Sequence, residues 1–347
     1  MHYIGLDLHA KTFSMAVMDE DSEMVFKQTC STSGKELVRL VTVIAGRKRV
    51  ALEESTLADW AFRLLSPHAE VIVADPRQNR WIAGDEMIDD ETAARKLAQL
   101  LQGGLLKPIH HSQSAERQAF KELVQAYHER TKEITRHKNK LKAKFRRRGI
   151  SCNGSAVYGQ RDREAWRTKL PGESARYQVQ LLWDTLDHLE GQKLELRRKL
   201  TRLARQFVQI ARFEKLPGIG LIRAATFFAF IDTPHRFPTK SKLWTYCGVG
   251  IAKPESGDSS APEHLTHFGN RELKEMLKGA ALSAIHTADN PFADKYQRQV
   301  RDGMAPELAR LSVARSIANT LWAIWRRDEE YDPNYRCQFA NNDDNNS

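Results

Sequence analysis

Apolar and polar positions over the first hundred residues fall into short strand-like and helix-like runs. Residues 3–8 (YIGLDL) and 13–18 (FSMAVM) read as strands on either side of a polar HAK turn, and residues 24–28 as a third. KRVALEES (48–55) and AEVIVADP (69–76) give two more, one ending in acids and the other stopped by Pro76. Between them, residues 57–66 have helical spacing. Residues 90–103 open with acids and close on Gly103, as a helix does. Strands alternating with helices predict an α/β domain with a partly parallel sheet.

From residue 113 the period lengthens. Phe120, Val124, Tyr127, Thr131, Ile134, Lys138, Leu141 and Phe145 follow steps of four and three, a coiled-coil seam that Gly149 ends. Residues 151–177 are polar and turn-rich, the best linker or loop candidate. A second seam runs through Leu182, Leu186, Leu189, Lys193, Leu196, Leu200, Leu203, Phe207 and Ile210, with Lys193 able to snorkel. The pair predicts an antiparallel hairpin, pairing with another protomer, or core stripes in one bundle. LPGIGLIRAATFFAFI (216–231) resembles a helix-hairpin-helix turn, in which Gly218 and Gly220 let backbone amides approach a phosphate; a plain tight turn is the alternative. Residues 264–288 and 305–327 read as helices, so the C-terminal part is mainly α. The division expected is 1–112, 113–212, 213–330 and a polar tail 331–347, disordered from NNDDNNS onward.

Charge narrows the partners. The chain of 347 residues carries a formal net charge of +10, which favours a polyanion. Its distribution says more. Arg130, Lys132, Arg136, Lys138, Lys140, Lys142, Lys144, Arg146, Arg147 and Arg148 stand against Glu133 alone, and a one-sign stretch of that density points to a nucleic-acid backbone. A solvated helix face is the competing reading. No apolar run spans a bilayer and no secretory leader is visible, so a cytoplasmic protein is expected. The four cysteines are far apart and read as reduced thiols.

Asp7 lies inside an otherwise apolar strand, where a lone carboxylate is costly. Glu53 or Glu54 ends a later strand, and Asp85, Glu86, Asp89, Asp90 and Glu91 cluster before or at the start of a helix. Brought together, such acids form an oxygen-ligand site for Mg²⁺ or Mn²⁺, suited to phosphodiester chemistry. An acid on the first strand, another on a later strand and acids opening a helix is the RNase H-like nuclease arrangement; a solvated helix start is the alternative for residues 85–91. Ser256 sits in a loop before FGNRELKEML, where Asn270 and Arg271 are placed to meet a phosphate, although serine is also a common turn former. No Asp–His partner spacing accompanies it, which argues against a hydrolase triad.

Seven segments carry a more specific resemblance: YIGLDLHAKTFSMAV, VALEESTLADWAFRLL, EVIVADPRQNRWIA, DDETAARKLAQLLQGGLL, LPGIGLIRAATFFAFI, RFPTKSKLWTYCGVGIAKPESG and HFGNRELKEML. In this order and spacing they resemble the DEDD transposases of the insertion-sequence-110 family, which includes the Piv-type DNA invertases. The resemblance implies a RuvC-like (RNase H-like) N-terminal domain with four acids, a helical coiled-coil segment, and a transposase domain with a nucleophilic serine. It implies recombination of DNA guided by a structured bridge RNA, with Mg²⁺ (or Mn²⁺) as cofactor and a homodimer or tetramer as the assembly. By motif the acids are Asp7 in GLDLHAK, Glu53 in LEEST and Asp90, and the serine is Ser256 in PESG. The chain departs at the fourth acid, where Ala93 stands, and Ile88 lies near the position of a customary lysine. Either Glu86 or Asp89 fills in, or metal binding is weakened. Two alternatives follow: a metal-dependent junction-resolving nuclease with Ser256 as bystander, and a nucleic-acid-binding derivative that has lost catalysis.

Overall fold

A computed structural model describes residues 1–76, 89–252, 264–265 and 269–333. Contacts divide the chain into two compact units, residues 1–115 and 116–347.

The first unit is built on a six-stranded sheet of order β3-β2-β1-β4-β5-β6. Its strands are β1 (His2–Leu8), β2 (Thr12–Met18), β3 (Met24–Ser31), β4 (Lys48–Glu53), β5 (Glu70–Ala74) and the short β6 (Pro108–Ile109). β1, β4 and β5 run parallel, whereas β2, β3 and β6 each run antiparallel to a neighbour. Ile4, Leu6, Val50, Leu52 and Val73 face one side, against helices α1 (Gly34–Val43) and α2 (Ala58–Leu65). Helix α3 (Asp90–Gln102) covers the other side, with Leu97 and Leu101 packed on Ala51. The strands and helices expected over residues 3–76 and 90–103 are present. Helix α1 adds to them: Ser33 caps it by accepting from the Glu36 N–H, and Leu37, Leu40 and Val41 make its buried stripe.

Gly5 fixes how closely α3 sits. A Cβ there would lie 1.9 Å from the Ala94 carbonyl oxygen and 2.7 Å from the Ala98 nitrogen. Helix backbone therefore rests directly on strand backbone, which only glycine permits. Ala94 and Ala98 are themselves fully buried small residues, completing the contact.

In the second unit, α4 (Ala115–Arg146) and α6 (Glu173–Ala204) form an antiparallel hairpin within one chain. Ile134 packs with Leu186 and Leu189, and Leu141 and Phe145 pack with Val179 and Trp183. The seams depart from the sequence reading at the tip, where Trp183 and Val179 are buried and Leu182 is only partly so. Residues 151–177 are not an open linker. Cys152, Val157, Leu170 and Ala175 close over the hairpin end, with the short α5 (Arg163–Arg167) among them. The Trp183 indole donates to the Val157 carbonyl at 2.9 Å, and Arg163 grips both Asp187 oxygens at 2.6 and 2.5 Å. Enough apolar side chains are supplied locally, at about 1.5–3 kcal/mol each, to order a loop that polar composition alone would leave loose.

At the other end of the hairpin, Phe120, Val124, Leu200 and Ala204 enter one core with the C-terminal helices. These are α7 (Val208–Glu214), α8 (Leu221–Ile231), α9 (Lys240–Tyr246), α10 (Arg271–Ile285), α11 (Pro291–Arg301) and α12 (Pro306–Arg327). The segments expected as 113–212 and 213–330 thus share a core. Residues 264–265 pair with 251–252 as a two-residue strand, so the helix expected from residue 264 begins at Arg271. No described helix is long and apolar enough to cross a membrane.

Gly5→Ala is expected to destabilise the first unit by about 3 kcal/mol or more, because backbone, not a flexible side chain, blocks the added methyl. Urea unfolding followed by circular dichroism checks this; a change below about 1 kcal/mol would contradict the close contact.

Candidate active site

Three carboxylates meet where β1 and β4 end. The parallel register pairs Leu6 with Leu52, so the next residues, Asp7 and Glu53, are neighbours on the opposite face of the sheet. That face is the one α3 covers. The helix runs antiparallel to β1, which brings its first residue, Asp90, to the carboxyl end of the strand. Such strand ends are where α/β sheets bind ligands.

Asp7 is half-buried, with its Oδ2 3.2 Å from His9 Nε2. The same nitrogen is 3.7 Å from Asp90 Oδ1. One donor atom each from Asp7, His9 and Asp90 lies within 4.8 Å of the others. Burial pushes the Asp7 carboxyl above its usual range; His9 opposes this and Asp90 adds to it. Glu53 is raised as well, by burial and then by the charge of Asp7. These groups are short of positive charge, and a hard divalent cation fits such a donor set.

The remaining acids divide clearly. Glu54, on the other side of the strand's alternation, is held by His111, whose Nε2 is 2.7 Å from it and whose Nδ1 is 3.3 Å from Asp59. Glu53 is therefore the acid that shares the Asp7 face. Asp89 is the N-cap of α3, its carboxylate accepting from the Thr92 N–H at 2.7 Å, a bond that lowers its pKa. Glu91 pairs with Lys27 at 2.9 Å. Ala93 is one turn before Leu97, which packs on Ala51. Asp85 and Glu86 lie outside the described residues, as do Ser256 and Ile88.

Two residues near this site were not singled out from the sequence. His9 shares strand parity with Asp7, two positions earlier, and that parity was the available signal. Asp75 is a buried carboxylate just past β5, the strand beside β4; in sequence it reads only as part of a proline stop.

The basic stretch of α4 and the turn that follows it is partly spent within the fold. Lys132 pairs with Glu272 at 2.5 Å and Lys138 with Glu190 at 2.8 Å. Arg130 pairs with Glu133, Lys144 donates to Gln178 and Arg148 to the Lys144 carbonyl. Lys142 sits over the Tyr158 ring. Arg136, Lys140, Arg146 and Arg147 are exposed. Of these, Arg136, Lys140 and Arg147 recur at helical spacing on one face, turned from the Ile134–Leu141–Phe145 stripe.

The glycine turn is committed to packing. Gly218 has φ +81°, and a Cβ there would lie 2.3 Å from the Ala280 carbonyl of α10. Arg223 holds the turn by donating to the Gly218 carbonyl at 2.6 Å and to Ser283 at 2.8 Å. Gly220 is exposed and precedes α8. Asn270 caps α10, its side chain accepting from the Leu273 N–H at 2.9 Å, and Arg271 beside it is exposed.

Comparison with known proteins matches both ends of this arrangement. Residues 4–147 match a model described as "Transposase", the DEDD type of IS110 elements, and residues 210–297 match "Transposase IS116/IS110/IS902 family". The chain is 31% identical over 117 residues to an insertion element IS110 uncharacterized 43.6 kDa protein of Streptomyces coelicolor, covering 34% of this chain and 29% of the relative. It is 26% identical over 120 residues to an insertion element IS116 uncharacterized 44.8 kDa protein of Streptomyces clavuligerus, covering 35% and 30%. A transposase for insertion sequence element IS1111A of Coxiella burnetii is 22% identical over 135 residues, covering 38% and 37%. The chain thus spans about a third of the length of each of these relatives. With two models of one family matched in order, and carboxylates converging on the sheet, the chain belongs to the IS116/IS110/IS902 family of DEDD transposases.

Proposed function

We propose that this protein is a DNA recombinase of an insertion sequence that cuts and rejoins strands with a serine nucleophile and a divalent-metal site on an RNase H-like domain. The meeting of Asp7 with Asp90, with Glu53 next to Asp7 in the strand register, carries this reading. These three carboxylates would hold Mg²⁺ or Mn²⁺, which supplies Lewis-acid activation of a phosphodiester when bound. Ser256 Oγ attacks phosphorus, loses its proton to a base, and displaces the 3′ oxygen, which takes up a proton and leaves as a hydroxyl. The resulting phosphoserine keeps the bond energy until a 3′-hydroxyl of the partner strand attacks it and releases the serine. The exposed cations of α4 and of the turn after it would grip the DNA or guide-RNA backbone, and the chain would act as a homo-oligomer.

The chain, incubated with substrate DNA, its element-encoded RNA and Mg²⁺, is expected to yield a protein–DNA adduct on a denaturing gel. Ser256→Ala and Asp7→Ala should each lower adduct by at least about a hundredfold. Cleavage retained in Ser256→Ala would favour the water-dependent nuclease instead. Binding with no adduct, even in Mn²⁺, would favour the derivative without catalysis.

The raised carboxyls give a second test. Their folded pKa values exceed the unfolded ones, so the metal-free fold binds more protons and loses stability as pH rises from the ordinary carboxylate range through the raised values. Asp7→Asn should therefore raise the metal-free melting temperature at pH 7, by roughly 2 °C. Added Mn²⁺ should raise it for the natural chain and not for the variant. A variant that melts lower and still responds to Mn²⁺ would argue against the pocket.

Removing Arg136, Lys140 and Arg147 together, each to Ala, should shallow the log–log salt dependence of nucleic-acid binding by roughly 2–3. Filter binding across a salt series measures it. An unchanged slope would move the interface off this face.

A further inference from the structure

His9 stands between two of the acids. Its Nε2 is 3.2 Å from Asp7 Oδ2 and 3.7 Å from Asp90 Oδ1. Two ligand atoms bound at right angles to one ion, with bonds near 2.1 Å, are themselves roughly 3 Å apart. The observed spacings are close to those of neighbouring ligands in one coordination shell. The backbone of His9 is fixed from both sides: its N–H donates to the Thr12 carbonyl at 2.9 Å, and its carbonyl accepts from the Thr32 hydroxyl at 2.7 Å. Its ring is about half exposed and so is accessible to an incoming ion. Ala93, three residues after Asp90 on α3, offers no donor.

We infer that His9 is a metal ligand of this site, standing in for the acid that Ala93 lacks, and that the site therefore favours Mn²⁺ over Mg²⁺. The inference rests on the reading of Asp7, Glu53 and Asp90 as a metal site. Replacing a carboxylate by an imidazole lowers the negative charge around the ion by one and adds a nitrogen donor. Mg²⁺ is held almost entirely by oxygen, whereas Mn²⁺ is a transition ion for which imidazole is an ordinary ligand. The opposing picture is a His9 that bridges Asp7 and Asp90 only while the ion is absent and swings away when it binds.

Pulsed electron paramagnetic resonance on the full chain with Mn²⁺ separates the two, because a bound imidazole imprints a ¹⁴N modulation on the signal. The natural chain should show that modulation and His9→Asn should lose it, with Mn²⁺ affinity falling by about tenfold or more. Mg²⁺ affinity, read by competition, should fall less. The double variant His9→Asn/Ala93→Asp should regain affinity without the ¹⁴N signal and with its preference moved toward Mg²⁺. Mn²⁺ that binds, is lost in Asp7→Asn, and shows no ¹⁴N modulation would overturn the role of His9 and leave the carboxylate site standing. Mn²⁺ that fails to bind, or binds equally in Asp7→Asn, would overturn the site itself. Circular dichroism on each variant separates loss of binding from loss of fold.

Discussion

Helix α3 rests on strand β1 at a separation that a single methyl group would prevent. Gly5 allows it, and Ala94 and Ala98 complete it from the helix side. The rest of the acidic pocket follows from that contact. With the helix backbone pressed to the strand, the first turn of α3 has one place to end, beside Asp7. A looser packing, filled by ordinary side chains, would lift Asp90 away from the sheet by the thickness of those side chains. Close approach thus does for the helix what parallel register does for Glu53. One fixes distance across layers and the other fixes it within the sheet.

Much of this unit was legible in the sequence because strand alternation is a strong signal. Asp7 lies near the end of one apolar run, Glu53 ends another, and acids open a helix at Asp90, so the pattern marked them as candidates to meet and left the meeting itself to topology. Glu53 and Glu54 could not be told apart until register and the His111 contact assigned them to different faces. Asp89 shows the converse difficulty. In sequence it is one more acid, but capping geometry uses its carboxylate on Thr92. Helix α1 was missed although Ser33 and the Leu37–Leu40–Val41 spacing were present, because its last residues are β-branched and mask the helical period.

In the second unit the seams were readable and the closure was not. Period alone cannot say whether two stripes meet in one chain. Tertiary partners such as Trp183 with Val157, and Arg163 with Asp187, decide it, and they come from a segment whose polar composition suggests a loop. The basic stretch was likewise visible as charge, but sequence does not show which cations are already matched. Lys132 and Lys138 answer acids of other helices, which leaves a narrower row facing outward. Gly218 is the sharpest case, since its left-handed conformation serves contact with α10.

The closure of the hairpin tip has a mechanical consequence. Each of its two long helices has 32 residues, about 48 Å of rod. An arm of that length would ordinarily fray from its free end. Here the far end carries its own small nucleus of Phe145, Val157, Leu170 and Trp183, while the near end is anchored in the helical core. Clamped at both extremities, the arm behaves as a stiff beam. A pull or torque at its tip is delivered to the base as bending of the whole rod and is not dissipated by local melting.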